Sequence, residues 1–113
     1  MIDPGRMDRL IRFQQDSGST RSASGQVIPN WEDIDNPEEY AMVHSFRGDE
    51  SFMADKKSAT RRRNIVIWYR DDITEMMTIL YDDKRWDIRS IEEIGRREGL
   101  SIEMSWTQGQ YDS

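Results

Sequence analysis

Three groups of residues in this chain are of types that could do chemistry. The first is His44, the single histidine. Imidazole is the usual proton carrier and a common metal ligand near neutral pH. With one histidine and no cysteine, Ser-His-Asp and HExxH machinery are poorly supplied, and a thiolate nucleophile is ruled out. His44 sits in an alternating run, where a packed or interface histidine is the simpler reading. The second group is acidic: Asp71-Asp72, Asp82-Asp83 and Asp87. Carboxylates so clustered suit a divalent cation, but they lack the spacing of an EF-hand loop. Paired Asp residues between apolar runs also read as turn residues, because their carboxylates accept from nearby backbone N–H groups. The third group is the basic run Arg61-Arg62-Arg63, with Lys56 and Lys57 upstream and Trp68 and Tyr69 downstream. Such cations could touch a phosphate backbone or an acidic partner, and the aromatics could stack on bases. The plainer alternatives are a solvated strand start that protects an edge from mispairing, and aromatics used in a core or subunit contact. Neither GxxxxGK[ST] nor GxGxxG is present. The expectation is a non-enzyme with no cofactor, no metal and no catalytic set.

The elements that must position these groups are strands. Residues 61–98 read RRRNIVIWYRDDITEMMTILYDDKRWDIRSIEEIGRRE. Apolar runs at 65–69, 77–81 and 86–91 are separated by polar turns at 70–74 and 82–84. Connections this short suit adjacent antiparallel strands, so the stretch reads as a β-meander. Upstream, residues 10–13 form a first strand, with Ile11 and Phe13 on one face and Leu10 and Arg12 on the other. Residues 16–25 are rich in Ser and Gly and read as a mobile loop, within a mobile segment spanning 16–30. A strand extension at 26–31 directs Val27 and Trp31 inward, and Pro29 marks an edge. Residues 33–38 are turn-rich. Residues 40–46 alternate, with Tyr40, Met42, His44 and Phe46 on one face and Ala41, Val43 and Ser45 on the other. That strand is buried on both faces or lies at an assembly contact. Residues 48–60 (GDESFMADKKSAT) are too polar for a strand, with a short helix compatible with 50–57; a connection of that length is usually functional or disordered. After Gly99 comes the best half-buried strand signal: Leu100, Ile102, Met104 and Trp106 alternate with polar residues through Thr107. Residues 108–113 are a polar tail. About six strands in one domain suggest a small barrel or sandwich.

The bulk properties agree. The chain has 113 residues, enough for one domain with one modest core. Only 35% are hydrophobic, and the mean hydropathy is −0.89. The core is therefore thin, or some surface is hidden in an assembly. The net charge of −6 argues against general duplex binding, which depends on neutralising phosphates. It does not argue against a surface past which DNA slides without sticking. No apolar run approaches membrane-spanning length, and the N-terminal MIDPGRMDRL lacks a signal-peptide core. The absence of cysteine fits a reducing cytosol.

In this order the residues have a family look. GRMDRLIRFQQ, SGQVIPNWEDI, EEYAMVHSFRGDE, NIVIWYRDDIT, MTILYDDKRWDIRSI and RREGLSIEM follow one another in the chain. Together they resemble the head-tail joining proteins of long-tailed phages, also called head-completion, head-closure or stopper proteins. Two positions depart from that pattern. Tyr40 stands where a Trp is frequent, and it is an acceptable inward aromatic. Lys84 stands where a Gly is frequent, which changes the expected turn. The resemblance implies an all-β, mainly antiparallel small barrel, with its long loop between the second and third main strands. It implies a virion protein of the neck, assembled in the host cytoplasm. It further implies a homo-oligomeric ring, hexameric by analogy, beneath the portal-bound adaptor and above the tail terminator and tail tube, with packaged double-stranded DNA passing through. The loop that would reach the DNA channel corresponds to Asp49, Glu50, Phe52, Met53, Asp55, Lys56 and Lys57, with Arg61, Arg62 and Arg63 as DNA or partner contacts. Two other readings stay open: a tail terminator or other neck ring, and a single-strand-binding β-barrel using Trp68.

Overall fold

Alternation of period two becomes the wall of a closed barrel in the computed structural model, which describes residues 4–45 and 60–107. A 3-10 turn (Pro4–Arg6) leads into β1 (Arg9–Asp16). A small arm follows, made of β2 (Thr20–Arg21) and β3 (Val27–Ile28). Then come β4 (Trp31–Ser45), β5 (Thr60–Trp68), β6 (Thr78–Tyr81), β7 (Lys84–Ile94) and β8 (Gly99–Thr107). Six antiparallel strands close in the order β1-β4-β5-β8-β7-β6. The seam is β6 against β1, through Arg12↔Leu80, Phe13↔Ile79 and Gln14↔Thr78. The expected small all-β barrel is present. The 49–57 residues expected to reach a channel, Phe46 and the 108–113 tail lie outside the described residues.

The strand order differs from a simple meander over residues 61–98. β6, β7 and β8 are consecutive neighbours, but β5 pairs with β4 and β8, not with β6. β8 matches β5 along the full length of both strands, from Thr60↔Thr107 to Trp68↔Gly99. That match places β8 between β5 and β7, and residues 69–77 must cross the barrel end. Connection length permits adjacency but does not compel it.

The interior is set by alternation. Ile11 and Phe13 of β1, Ile65 and Ile67 of β5, Ile79 of β6, Trp86 of β7 and Ile102 and Met104 of β8 are all 2% exposed or less. Each such side chain contributes roughly 1.5–3 kcal/mol by leaving water. On β4 the inward residues are Ala41 and Val43, not the aromatic face. Tyr40 is 58% exposed, which corrects its reading as an inward aromatic. Val27 was expected inward and is instead exposed on the arm. Trp31 lies on the outer face, two residues from Asp33, with the Arg85 guanidinium 4.8 Å from its ring centre. His44 is exposed in this chain alone.

The turn-rich residues 33–38 do not end a strand. They form a bulge inside β4, where four residues (34–37) face the single residue Phe13 of β1. Asn36 adopts φ +50°, and Pro37 brings no N–H that would need a partner. The bulge tucks Ile34 into the core at 8% exposure. It also turns the carbonyls of Asp35 and Asn36 out of the ladder, and Arg70 takes both. Its Nη1 donates to Asn36 O (2.7 Å) and Glu39 Oε1 (3.2 Å). Its Nη2 donates to Asp35 O (3.0 Å) and Asp72 Oδ2 (2.7 Å), and its Nε donates to Asp72 Oδ1 (2.9 Å). The guanidinium thus uses all its donors, lies 5.7 Å from the Phe13 ring centre and is only 11% exposed.

The β6–β7 turn corrects the expectation at Lys84. Asp82 (φ 56°) and Asp83 (φ 58°) carry the left-handed backbone of a two-residue type I′ turn, and Lys84 simply begins β7 opposite Tyr81. Asp accepts that conformation because its short polar side chain bonds locally. At the root of the arm, Asp16 accepts from Gly18 N (3.0 Å), Asn30 N (3.0 Å) and Ser19 Oγ, which lowers its pKa, Ser19 contributing most.

Arg70→Met should therefore cost about 2–4 kcal/mol, because the two bulge carbonyls and two carboxylates lose charged donors; urea unfolding measures it. Arg70→Lys should recover only part, since one ammonium cannot serve four acceptors in plane. The Arg70 hydrogen bonds also hold the Asp72 carboxyl below its usual range. A lowered folded pKa adds stability that is full above about pH 4 and fades as pH falls through the folded value. Asp72→Asn should flatten that acid limb in thermal melts recorded as a pH series.

Candidate functional site

The sequence run Arg61-Arg62-Arg63 splits across the barrel wall. Arg61 and Arg63 share the parity of Ile65 and Ile67 and so occupy the inner side, where the barrel opens. Arg62 takes the outer side, with Nη1 3.9 Å from Glu103 Oε2. The Arg61 guanidinium lies 5.8 Å from the ring centre of Trp106, and that of Arg63 lies 5.7 Å from Trp86. Lys84 Nζ reaches Trp106 from β7 at 5.3 Å. The rings themselves are tilted neighbours: Trp86–Trp106 at 6.4 Å and Tyr81–Trp86 at 6.2 Å. Trp86 Nε1 donates to Tyr81 O at 3.0 Å, which fixes the central indole. Cations over aromatic faces gain roughly 0.5–1 kcal/mol each where water still reaches them.

This basic, aromatic end is also where β4 stops and β5 starts, so it is the root of residues 46–59. Ser45↔Arg63 is the last β4–β5 pair before that segment, and the Thr60 and Thr107 hydroxyls lie 3.4 Å apart beside it. The arrangement holds two guanidinium groups on rigid indoles, and the Lys84 ammonium beside them is balanced by Asp82, 3.6 Å away. It supplies no nucleophile and no acid–base pair.

The acidic pairs are not brought together. Asp72 serves Arg70, and Asp82 and Asp83 form the I′ turn. Among the described residues, no group of three or more His, Asp or Glu side chains is placed to hold a metal ion. Trp68 is 44% exposed on the outer face, at the opposite end of β5 from Arg61.

Sequence reasoning missed three features. Arg70 was placed in a turn, and only its position after an apolar run and before Asp71-Asp72 hinted at an anchored cation. Lys84 reads as a turn residue in the sequence, but its ammonium faces Trp106. The outward row of Leu10, Tyr40 and Trp68 was split among three separate segments. A second polar network covers the outer wall: Arg12 bonds Asp33 (2.6 Å) and Glu38 (2.8 Å), and Arg85 bonds Gln14 and Thr78 (both 2.9 Å).

Comparison with known proteins follows the fold. A solved chain from the virion of a native gene transfer agent particle superimposes with a TM-score of 0.66 at 16% identity, covering 88% of this chain and 94% of that one. The solution structure of protein SF1141 from Shigella flexneri 2a superimposes with a TM-score of 0.63 at 20% identity, covering 97% of this chain and all (100%) of that one. At these identities the likeness is one of fold. No curated protein sequence matches the chain. The profile of one family, described as phage head completion protein, matches residues 2–105. With that match over nearly its whole length, and with the barrel the family resemblance implied, the chain belongs to the phage head completion protein family, structural proteins of the virion at the head-tail interface.

Proposed function

We propose that the chain is a non-enzymatic head-closure connector. Copies form a homo-oligomeric ring, hexameric by analogy, beneath the portal and its adaptor. The ring extends the DNA channel, helps retain the packaged genome and offers a docking surface to the tail terminator and tail tube. The observation that carries this reading is the barrel end that gathers Arg61 and Arg63 on Trp106 and Trp86 at the root of residues 46–59. In a chain of net charge −6, that end is a local cationic site on a wall that otherwise repels DNA. Duplex can then slide past and be held at one level only. In this reading Asp49, Glu50 and Asp55 keep the backbone off the channel wall. Phe52 and Met53 pack between neighbouring segments, where a flexible thioether adapts to irregular gaps. Lys56, Lys57 and Arg61–Arg63 make the local contacts to DNA or to an acidic neighbour.

A single-strand-binding barrel is less well supported. Its stacking residue, Trp68, stands seven positions along extended β5 from Arg61, roughly 23 Å away. Trp68 and Arg61 therefore do not line one groove, which such stacking on Trp68 would need.

Electron microscopy of the intact neck should find a ring of this chain between adaptor and tail tube. Density at the tail end instead would identify a tail terminator, and a protein absent from virions would end the proposal. Deleting residues 52–57 should leave the barrel folded and let filled heads leak DNA; normal genome retention would refute the channel role of that segment. Arg61→Gln with Arg63→Gln should cost no more than about 1–2 kcal/mol of stability yet reduce genome retention, measured as the fraction of full heads.

A further inference from the structure

The β2–β3 arm joins the barrel through a break in its ladder. The last β1–β4 pair is Asp16↔Trp31, and the pair of the arm nearest the barrel is Thr20↔Ile28. Between them lie two linkers outside any strand, residues 17–19 on one side and 29–30 on the other. The arm pairs only with itself and has no substantial packing on a barrel strand. A Cβ at Gly18 would meet nothing within 4 Å, so packing does not steady the break there. Pro29 has no N–H to give. A two-stranded ribbon without a packed face is barely stable by itself, and this one would swing on its root unless something spans both linkers.

One carboxylate spans them. Asp16 Oδ1 accepts from Gly18 N and Asn30 N, both at 3.0 Å, and Oδ2 accepts from Ser19 Oγ. The donors thus come from both linkers, and an ionised acceptor makes such bonds stronger than neutral ones. Ser17 and Asn30 add a second, neutral link. Ser17 N and Oγ donate to Asn30 O (2.9 and 3.2 Å), and Asn30 Nδ2 donates to Ser17 Oγ (2.9 Å). The tip of the arm is closed by its own bonds: Ser22 N to Gln26 O (2.8 Å), Gly25 N to Ser22 O (2.9 Å) and Arg21 Nη1 to Gly25 O (3.3 Å). The ribbon is braced internally, so its direction is decided at the break.

We propose that the Asp16 carboxylate is the latch of the arm: by holding both linkers at once it fixes the direction in which the ribbon projects from the barrel. Asp16 is a positioning residue in this role. The arm carries Val27 and Ile28 at 53% and 46% exposure. A latched arm presents them at a fixed place, which removes the ordering entropy from any contact they make. The three groups that donate to Asp16 do not titrate. The charged groups on its face of β1 and β4, and on β7 beside them, are Arg12, Asp33 and Arg85. Arg12 holds Asp33 at 2.6 Å, and Arg85 lies 4.8 Å from the Trp31 ring centre. Hydrogen bonds, that of Ser19 first, hold the Asp16 carboxyl below its ordinary range. A lowered folded value means that the latch is whole above about pH 4 and opens as pH falls through that lowered value.

The chain has no cysteine, so spin labels can be placed uniquely. Ala23→Cys marks the exposed tip of the arm and Glu92→Cys an exposed position on β7. Labelled chain diluted in unlabelled chain gives distances within one copy by double electron–electron resonance. With Asp16 in place, one narrow distance is expected. Asp16→Ala should broaden it, and Asp16→Asn, which keeps one acceptor oxygen, should broaden it less. Ser17→Ala leaves all three Asp16 bonds and should keep the distance narrow. Stepwise acidification, followed while circular dichroism stays native, should broaden the distance with Asp16 present and change nothing in Asp16→Ala. Cross-strand NOEs between Thr20 and Ile28 should persist in Asp16→Ala. A broad distribution with Asp16 intact at neutral pH, a narrow one in Asp16→Ala, or equal broadening by Ser17→Ala overturns the latch. Loss of the Thr20–Ile28 NOEs in Asp16→Ala overturns it too, because Asp16 would then hold the ribbon together and not aim it.

Discussion

Five hydrogen bonds from one guanidinium hold the corner on which this barrel turns. Closing six strands requires the longest strand, β4, to bend while pairing with β1 on one side and β5 on the other. The bend is made by inserting residues 34–37 against Phe13, which breaks the ladder and strands two carbonyls. Arg70 accepts that consequence from across the sheet. It follows β5 directly, so it also pins the start of the connection that must cross the barrel end to reach β6. One residue thereby couples the two irregular places in an otherwise regular wall. Its own charge is balanced by Asp72 and Glu39, so the network closes on itself.

Given that wall, each strand has two jobs divided by parity. Inward residues fill the interior with Ile, Phe, Trp and Met. Outward residues divide into regions of different character. On the seam side of β1, Arg12, Gln14, Asp33, Glu38 and Arg85 form a polar lattice. Toward β5 the surface becomes apolar, with Leu10, Tyr40 and Trp68. At the end where residues 46–59 leave and return, the inner parity itself becomes cationic, and Arg61 and Arg63 rest on the uppermost indoles. The core is modest because only 35% of the chain is hydrophobic, and a few of its large apolar side chains stay exposed.

Family membership and physics meet at that cationic end. The profile match says what kind of particle the chain helps build. The geometry says which side chains fill the barrel and which stand at its mouth. Trp86 illustrates the difference: its ring is core, 2% exposed, yet its face supports Arg63 at the barrel mouth. The stretch 61–98, most informative for recognising the family, is mostly barrel wall, and its first three residues stand where that wall meets the root of residues 46–59.

Much of this was legible in the residues. Ile11 and Phe13 inward, Leu10 and Arg12 outward, and the strict alternation from Leu100 to Met104 follow from a period of two, which is a local property of the backbone. Asp82-Asp83 as a turn is equally local. The order of strands was not, because β5 meets β8 across more than thirty residues and neither segment carries a label for its partner. Asn36-Pro37 looked like a turn and became a bulge, since whether a break ends a strand depends on whether a neighbour continues to pair beyond it. Arg70 and the Leu10–Tyr40–Trp68 row belong to the same class: each brings together residues about 30 or more positions apart. Sequence by itself determined the period-two division of the strands into two faces, and so the kind of fold, but for β4 not which face points inward. Tertiary structure decided which outward residues stand together, because neighbours across a barrel are chosen by closure of the whole sheet and not by the chain on either side of them.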